Sequence, residues 1–216
     1  MTGTAAPATS ASRGRAESDP RRTRSVLRSV AVPAEHGGWG LTAEPVVLGL
    51  AVAPSVAGLC IGVAAVLAFV ARTPLRVVLV DRHRHRDLDR TALARRVLLA
   101  EVFVIAALLA TATLTSTDQF WWPVVVAAPL VAVELWFDTR SRSRRLLPEL
   151  AGTYGICSVA AMILVAGGHP PAEAIAAWLI LVGRATTAIP HVRAQIFRLH
   201  GRPASCSTLL AADAGG

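Results

Sequence analysis

Lysine is absent from this chain of 216 residues, and all 22 basic side chains are arginine. The uniformity points to a GC-rich genome rather than to a mechanism. Cysteine is scarce: Cys60, Cys157 and Cys206 show no metal-binding or redox spacing. Cys60 and Cys157 lie inside apolar blocks and read as small packing residues. Aromatic residues make up only 5% of the chain, and no finger motif or aromatic-rich basic surface goes with the net charge of +8. That argues against nucleic acid as the partner. Residues 1–30 contain arginines but no apolar core after them, which excludes a convincing signal peptide. No internal repeat is visible.

What the chain does have is apolar residue, 53% of the total. It comes in long blocks of Ala, Val and Leu, with the charges confined to the gaps. A soluble amphipathic helix would place apolar residues every three or four positions instead. Five blocks stand out, at 39–71, 97–116, 120–137, 149–165 and 171–190. A spanning helix needs roughly 20 residues. In lipid the backbone must satisfy its own hydrogen bonds, so each block reads as helix. The first is too long for one span and contains Pro54-Ser55 near its middle.

Arginine placement decides how that block is folded. Arg72, Arg76, Arg82, Arg84, Arg86, Arg90, Arg95 and Arg96 fill one gap; Arg140, Arg142, Arg144 and Arg145 fill another. Arg193, Arg198 and Arg202 follow the last block, while 54–55, 117–119 and 167–173 contain none. If the first block is a hairpin, every arginine except Arg184 falls on one side. The positive-inside rule makes that side cytoplasmic. The expected fold is therefore all-α: a polytopic transmembrane helix bundle of about six spans, both termini in the cytoplasm. Its parts are an Arg-rich disordered tail at 1–30, a membrane domain at 31–200 and a polar tail at 201–216. Trp39 at the inner boundary and Trp121-Trp122 at the outer one fit an aromatic belt.

Charge inside the blocks is rare and costs roughly 2.5–3.5 kcal/mol per residue on insertion scales, so each instance needs a partner or a task. Glu44, Glu101, Glu134 and Arg184 lie inside, and Glu149 lies at a boundary. All are expected near the cytoplasmic end, either lining a polar cavity or reaching for the interface. Glu44, Glu101, Glu134 and Arg184, with Arg72 and Arg193, form the candidate substrate-binding set. The Pro33-Ala34-Glu35-His36-Gly37-Gly38-Trp39-Gly40 segment enters the first helix. There Glu35 and His36 could transfer a proton or bind a ligand. Glu35, His36 and Glu149 are the candidate catalytic groups; the alternative is a helix-entry turn. Asp81, Asp87 and Asp89 lie among arginines with His83 and His85 in the first basic gap. Such carboxylates could hold Mg²⁺ against a diphosphate, or simply belong to a solvated loop touching anionic lipid.

Four places resemble the YwiC-like family of bacterial membrane proteins. They are Pro33-x-Glu35-His36-Gly37-x-Trp39; Arg72-Thr73-Pro74-Leu75 with Asp81-Arg82; the 140–145 arginines with Leu147-Pro148-Glu149-Leu150-x-Gly152; and Arg184, Pro190 and Val192-Arg193-x-x-Ile196. The resemblance implies a multi-pass protein of the bacterial cytoplasmic membrane without an established activity. Its plan also resembles UbiA-type prenyltransferases, which would imply Mg²⁺ as cofactor. The aspartates here depart from the Asn-Asp-x-x-Asp-x-x-x-Asp spacing of those enzymes. Family members tend to continue with further helices after the Arg193 region, so the bundle is expected to be an incomplete version of a longer one, truncated or frame-shifted in the 201–216 tail. Three functions follow as expectations: a membrane protein with a cytoplasm-facing polar site acting on a lipid or lipid-linked group, a UbiA-like enzyme, or a small-solute transporter. Membrane lipids are the expected partners in each.

Overall fold

The computed structural model describes residues 36–83, 89–139 and 146–199. Among them are six α-helices and no strand: α1 (His36–Val52), α2 (Val56–His83), α3 (Asp89–Thr115), α4 (Trp121–Thr139), α5 (Leu146–Ala166) and α6 (Pro171–Leu199). Helices α2, α3, α5 and α6 are long and apolar enough to cross a membrane, whereas α1 and α4 are apolar but shorter. The 1–30 and 201–216 tails, Glu35, Asp87 and the 140–145 arginines lie outside the described residues.

The first block is two helices, and local chemistry explains the break. The Ser55 hydroxyl accepts a hydrogen bond from the Gly58 amide at 2.9 Å, as an N-cap does for α2. Pro54 just before it cannot donate to a continuing α1. The two helices then run antiparallel. Leu50 lies against Gly58 near the turn, Val46 against Gly62 farther on, and Trp39 meets Phe69 edge-on at 5.2 Å.

A second turn is built by glycine. Gly168 has φ +84°, the left-handed region that glycine enters without a Cβ penalty. Its amide bonds to the Val165 carbonyl at 2.9 Å and the His169 amide to Leu164 at 3.0 Å, a Schellman motif closing α5. Pro171 then opens α6 where its missing N–H costs nothing.

Three helices continue past the apolar blocks. The basic gap after residue 71 was expected as a loop, but α2 runs on through Arg72, Arg76, Asp81 and Arg82 to His83. Helix α3 already begins at Asp89, before Arg90, Arg95 and Arg96, and α6 passes through Pro190 to Leu199. Hydropathy marks where the hydrocarbon ends; the helical hydrogen bonds do not stop there.

Helix α5 is the hub. It is apolar on every side and buried along most of its length, and α1, α2, α4 and α6 all pack against it. Small residues permit the close approach. A β-carbon on Gly49 of α1 or Gly58 of α2 would run into Ile163 of α5, which is fully buried. Helix α3 stands apart, with its extensive packing along α2. Leu99, Val102, Phe103 and Leu114 point outward from it.

Candidate functional site

The three Arg-free turns meet at one end of the bundle. A β-carbon on Gly167 would touch Ala53, one on Gly168 would approach Thr117, and the Thr117 amide bonds to the Ala166 carbonyl at 3.0 Å. Every described arginine therefore lies toward the opposite end, Arg184 being the deepest.

Starting from the Arg-free end and counting about 1.5 Å per helical residue, the ion pairs form four tiers. At about 12–20 Å, Arg184 of α6 bonds through Nη1 to Glu44 Oε2 of α1, across one side of the hub. At about 20–24 Å, Arg72 of α2 meets Glu134 of α4 at 2.7 Å. At about 26–33 Å, Arg193 of α6 meets Glu149 of α5 at 3.5 Å. At about 37 Å, Arg90 of α3 meets Asp81 of α2 at 3.0 Å. Measured from the Arg-free turns, the first two tiers fall within the about 30 Å thickness of a hydrocarbon layer, the third straddles that limit and the fourth lies beyond it.

The tiers differ in character. Asp81 is only 2% exposed and accepts from Arg90 Nη2, more weakly from Arg90 Nε, and from the Thr91 hydroxyl at 2.6 Å. It clasps the start of α3 to the end of α2. Glu134 is mostly buried because it occupies the space that a Gly152 side chain would fill. The Glu44–Arg184 pair is open: Arg184 is 58% exposed and Glu44 31%. Elsewhere between α5 and α6, the Tyr154 hydroxyl and the Thr186 hydroxyl are 2.7 Å apart.

The expected site residues are thus brought together as separate pairs strung along the bundle; Glu44, expected near the cytoplasmic end, lies at the middle of α1. Glu101 on α3 is not among them: its Oε2 is buried without a hydrogen-bond partner, and no described side chain forms an ion pair with it. Asp89 opens α3, exposed. His36 opens α1, and its side chain lies outside what is described. Among the described residues no group of three or more His, Cys, Asp or Glu is placed to hold a metal ion. Sequence reasoning missed Arg90 and Thr91 as partners of Asp81. The signal for them is their spacing of nine and ten residues, which suits a helical hairpin, whereas the density of arginine there points to a loop.

Long apolar helices packed around a buried central helix, with charge sorted to one end, define an all-α integral membrane protein. The model of the YwiC-like protein family matches residues 32–164, and this chain belongs to that family. The match includes the entry motif, the α2 motif and the Glu149–Gly152 segment, and ends before Arg184 and Arg193. Neither curated proteins nor solved structures give a match.

Proposed function

We propose that this protein spans the cytoplasmic membrane six times, with both termini in the cytoplasm, and binds the anionic headgroup of a lipid or lipid-linked molecule at its arginine-bearing end. The observation that carries this reading is the open Glu44–Arg184 pair. A guanidinium has five donors, and Arg184 gives one nitrogen to Glu44 while more than half of its side chain stays exposed. An exposed charge at that depth is costly unless something polar covers it. A phosphate drawn down from the headgroup layer has the right charge and acceptor geometry for the remaining donors.

On this reading Arg72 with Glu134 and Arg193 with Glu149 hold the helices around the entrance. Glu35, His36 and Glu149 are its proton-handling groups. The separation of the arginine-free turns from the charged tiers supports the orientation. The Mg²⁺-diphosphate alternative draws less support, because Asp81 is already engaged by Arg90 and Thr91.

The test is lipid retention. The protein is extracted with native lipid and bound lipids are measured by mass spectrometry, then challenged with vesicles of phosphatidylglycerol or phosphatidylcholine. Wild type should retain anionic lipid selectively, and Arg184→Gln should lose most of that selectivity with helicity unchanged. Equal retention of both lipids by wild type would refute the reading.

A further inference from the structure

Glu101 differs from every other carboxylate in the membrane part. Glu44, Glu134 and Glu149 each face an arginine. Glu101 faces none, and one of its oxygens is sealed from solvent without a hydrogen-bond partner. The side chain as a whole is half-buried, and its helical position explains why that oxygen is covered. Ala94 and Ala112, both 0% exposed, are the buried residues of α3. Glu101 lies seven residues after the first and eleven before the second, so all three share one face of the helix. That face is turned to α2, the helix along which α3 packs.

The register of this seam is fixed at its polar end by the Asp81–Thr91 hydrogen bond. Ten residues back along α2 from Asp81 is Ala71 and ten forward along α3 from Thr91 is Glu101, about 21–23 Å from the Arg-free end. The Val70 carbonyl, directed along the helix toward residue 74, lies at that height. Val70 is unusual in its own way. Its carbonyl would normally accept from the amide four residues later, but that residue is Pro74, which has none. Pro74 is fully buried, so water is a poor substitute. A carboxylate oxygen without a donor and a carbonyl without its helical donor therefore stand level in one apolar seam. An ionised Glu101 would leave both unsatisfied. A neutral carboxylic acid would donate its O–H to the carbonyl and bury no charge.

The surrounding charges do not favour ionisation. The charged groups on α2 near this height are Arg72 and Arg76, with Asp81 and Arg82 farther out; Arg72 is held by Glu134, and none of the four forms an ion pair with Glu101. On α3 itself Arg95 and Arg96 are exposed and more than one turn away.

We infer that Glu101 is a proton-binding site of the hydrocarbon layer, a neutral carboxylic acid in the α2–α3 seam beside the Val70 carbonyl. Such a group has a diagnostic chemistry. An apolar carbodiimide reaches it through lipid. The carboxyl proton moves to a carbodiimide nitrogen as the carboxyl oxygen bonds to the central carbon. The acyl group then shifts from oxygen to nitrogen, leaving a stable N-acylurea. Nothing departs, so the adduct adds the mass of the whole reagent.

The experiment treats the full-length protein in liposomes with dicyclohexylcarbodiimide and maps adducts by peptide mass spectrometry. One adduct is expected, on the peptide containing Glu101 and not on those with Glu44, Glu134 or Glu149. It should vanish in Glu101→Gln and return in Glu101→Asp, each checked for monodisperse elution. A water-soluble carbodiimide with glycine methyl ester should label Glu101 at least tenfold less. Lack of an adduct on the wild-type Glu101 peptide, or equal labelling by both reagents, overturns the inference. The mapping on wild type needs no variant to fold.

Discussion

Glu134 and Arg72 meet at 2.7 Å over Gly152, so a charge pair between α4 and α2 sits where the hub helix has no side chain. Apart from this pair the two helices touch little. The vacancy at Gly152 and the ion pair are one device: a β-carbon there would land on the Glu134 carboxylate.

Gly152→Ala should therefore displace Glu134 and destabilise the bundle by about 1–3 kcal/mol, the usual cost of overpacking. Thermal unfolding in detergent measures it. Adding Glu134→Ala should recover part of the loss, because the two sites share one space and their effects cannot add. Strict additivity in that cycle would mean that the contact carries no energy.

Asp81 offers a second test. Replacing it with Asn keeps the shape but removes the charge that Arg90 and Thr91 bind. Truncating one partner of a buried pair costs about 3–5 kcal/mol. Arg90 is 55% exposed, so the loss should fall below that range. Asp81→Asn should speed proteolysis between α2 and α3, while Thr91→Ala has a smaller effect. The same variant distinguishes a clasp from a metal ligand: added Mg²⁺ should not stabilise wild type relative to Asp81→Asn.

Topology can be probed by single cysteines at the Arg-free turns in a background lacking Cys60, Cys157 and Cys206. Ser55→Cys and Thr117→Cys should react with an impermeant maleimide from outside intact cells. For the third turn His169→Cys is the better probe, because Gly168 has a positive φ that cysteine would strain. Reaction at 169 only after permeabilisation would reverse the proposed orientation.

The entry motif calls for a paired comparison. Glu35→Gln and His36→Ala should lower retention of anionic lipid severalfold while membrane insertion stays normal. Trp39→Ala should instead weaken insertion, since Trp39 packs edge-on against Phe69 at 5.2 Å. Unchanged retention in both Glu35→Gln and His36→Ala would reduce the motif to a helix-entry turn.

Some of this architecture is legible in the sequence. The Pro54-Ser55 turn follows from the length of the first block and the sorting of arginine. The hub position of α5 does not follow, because hydropathy is much the same whether a helix faces lipid or other helices. What separates α5 is its Gly152, Gly155, Cys157, Ala160 and Ala161 surface, a packing signal rather than a polarity signal. The pairing of acids with arginines was equally hidden. Glu44 and Arg184 are 140 residues apart, and only the arrangement of α1 and α6 around α5 makes them neighbours. Asp81 looked like a loop aspartate because the arginines around it mark the edge of the hydrocarbon, and that edge is not a helix terminus.

The long separation of Glu44 from Arg184 also matters during synthesis. A ribosome adding roughly 5–20 residues per second needs about 7–28 s to get from one to the other. Throughout that interval α1 is already made and Glu44 has no counter-ion. The hub helix, which α1, α2 and α4 all need, is itself the fifth of the described helices to emerge. Glu44 sits at the middle of α1, about 12 Å from either end, so through that wait its carboxylate has to reach for headgroups or water. Assembly closes only when α6 delivers Arg184.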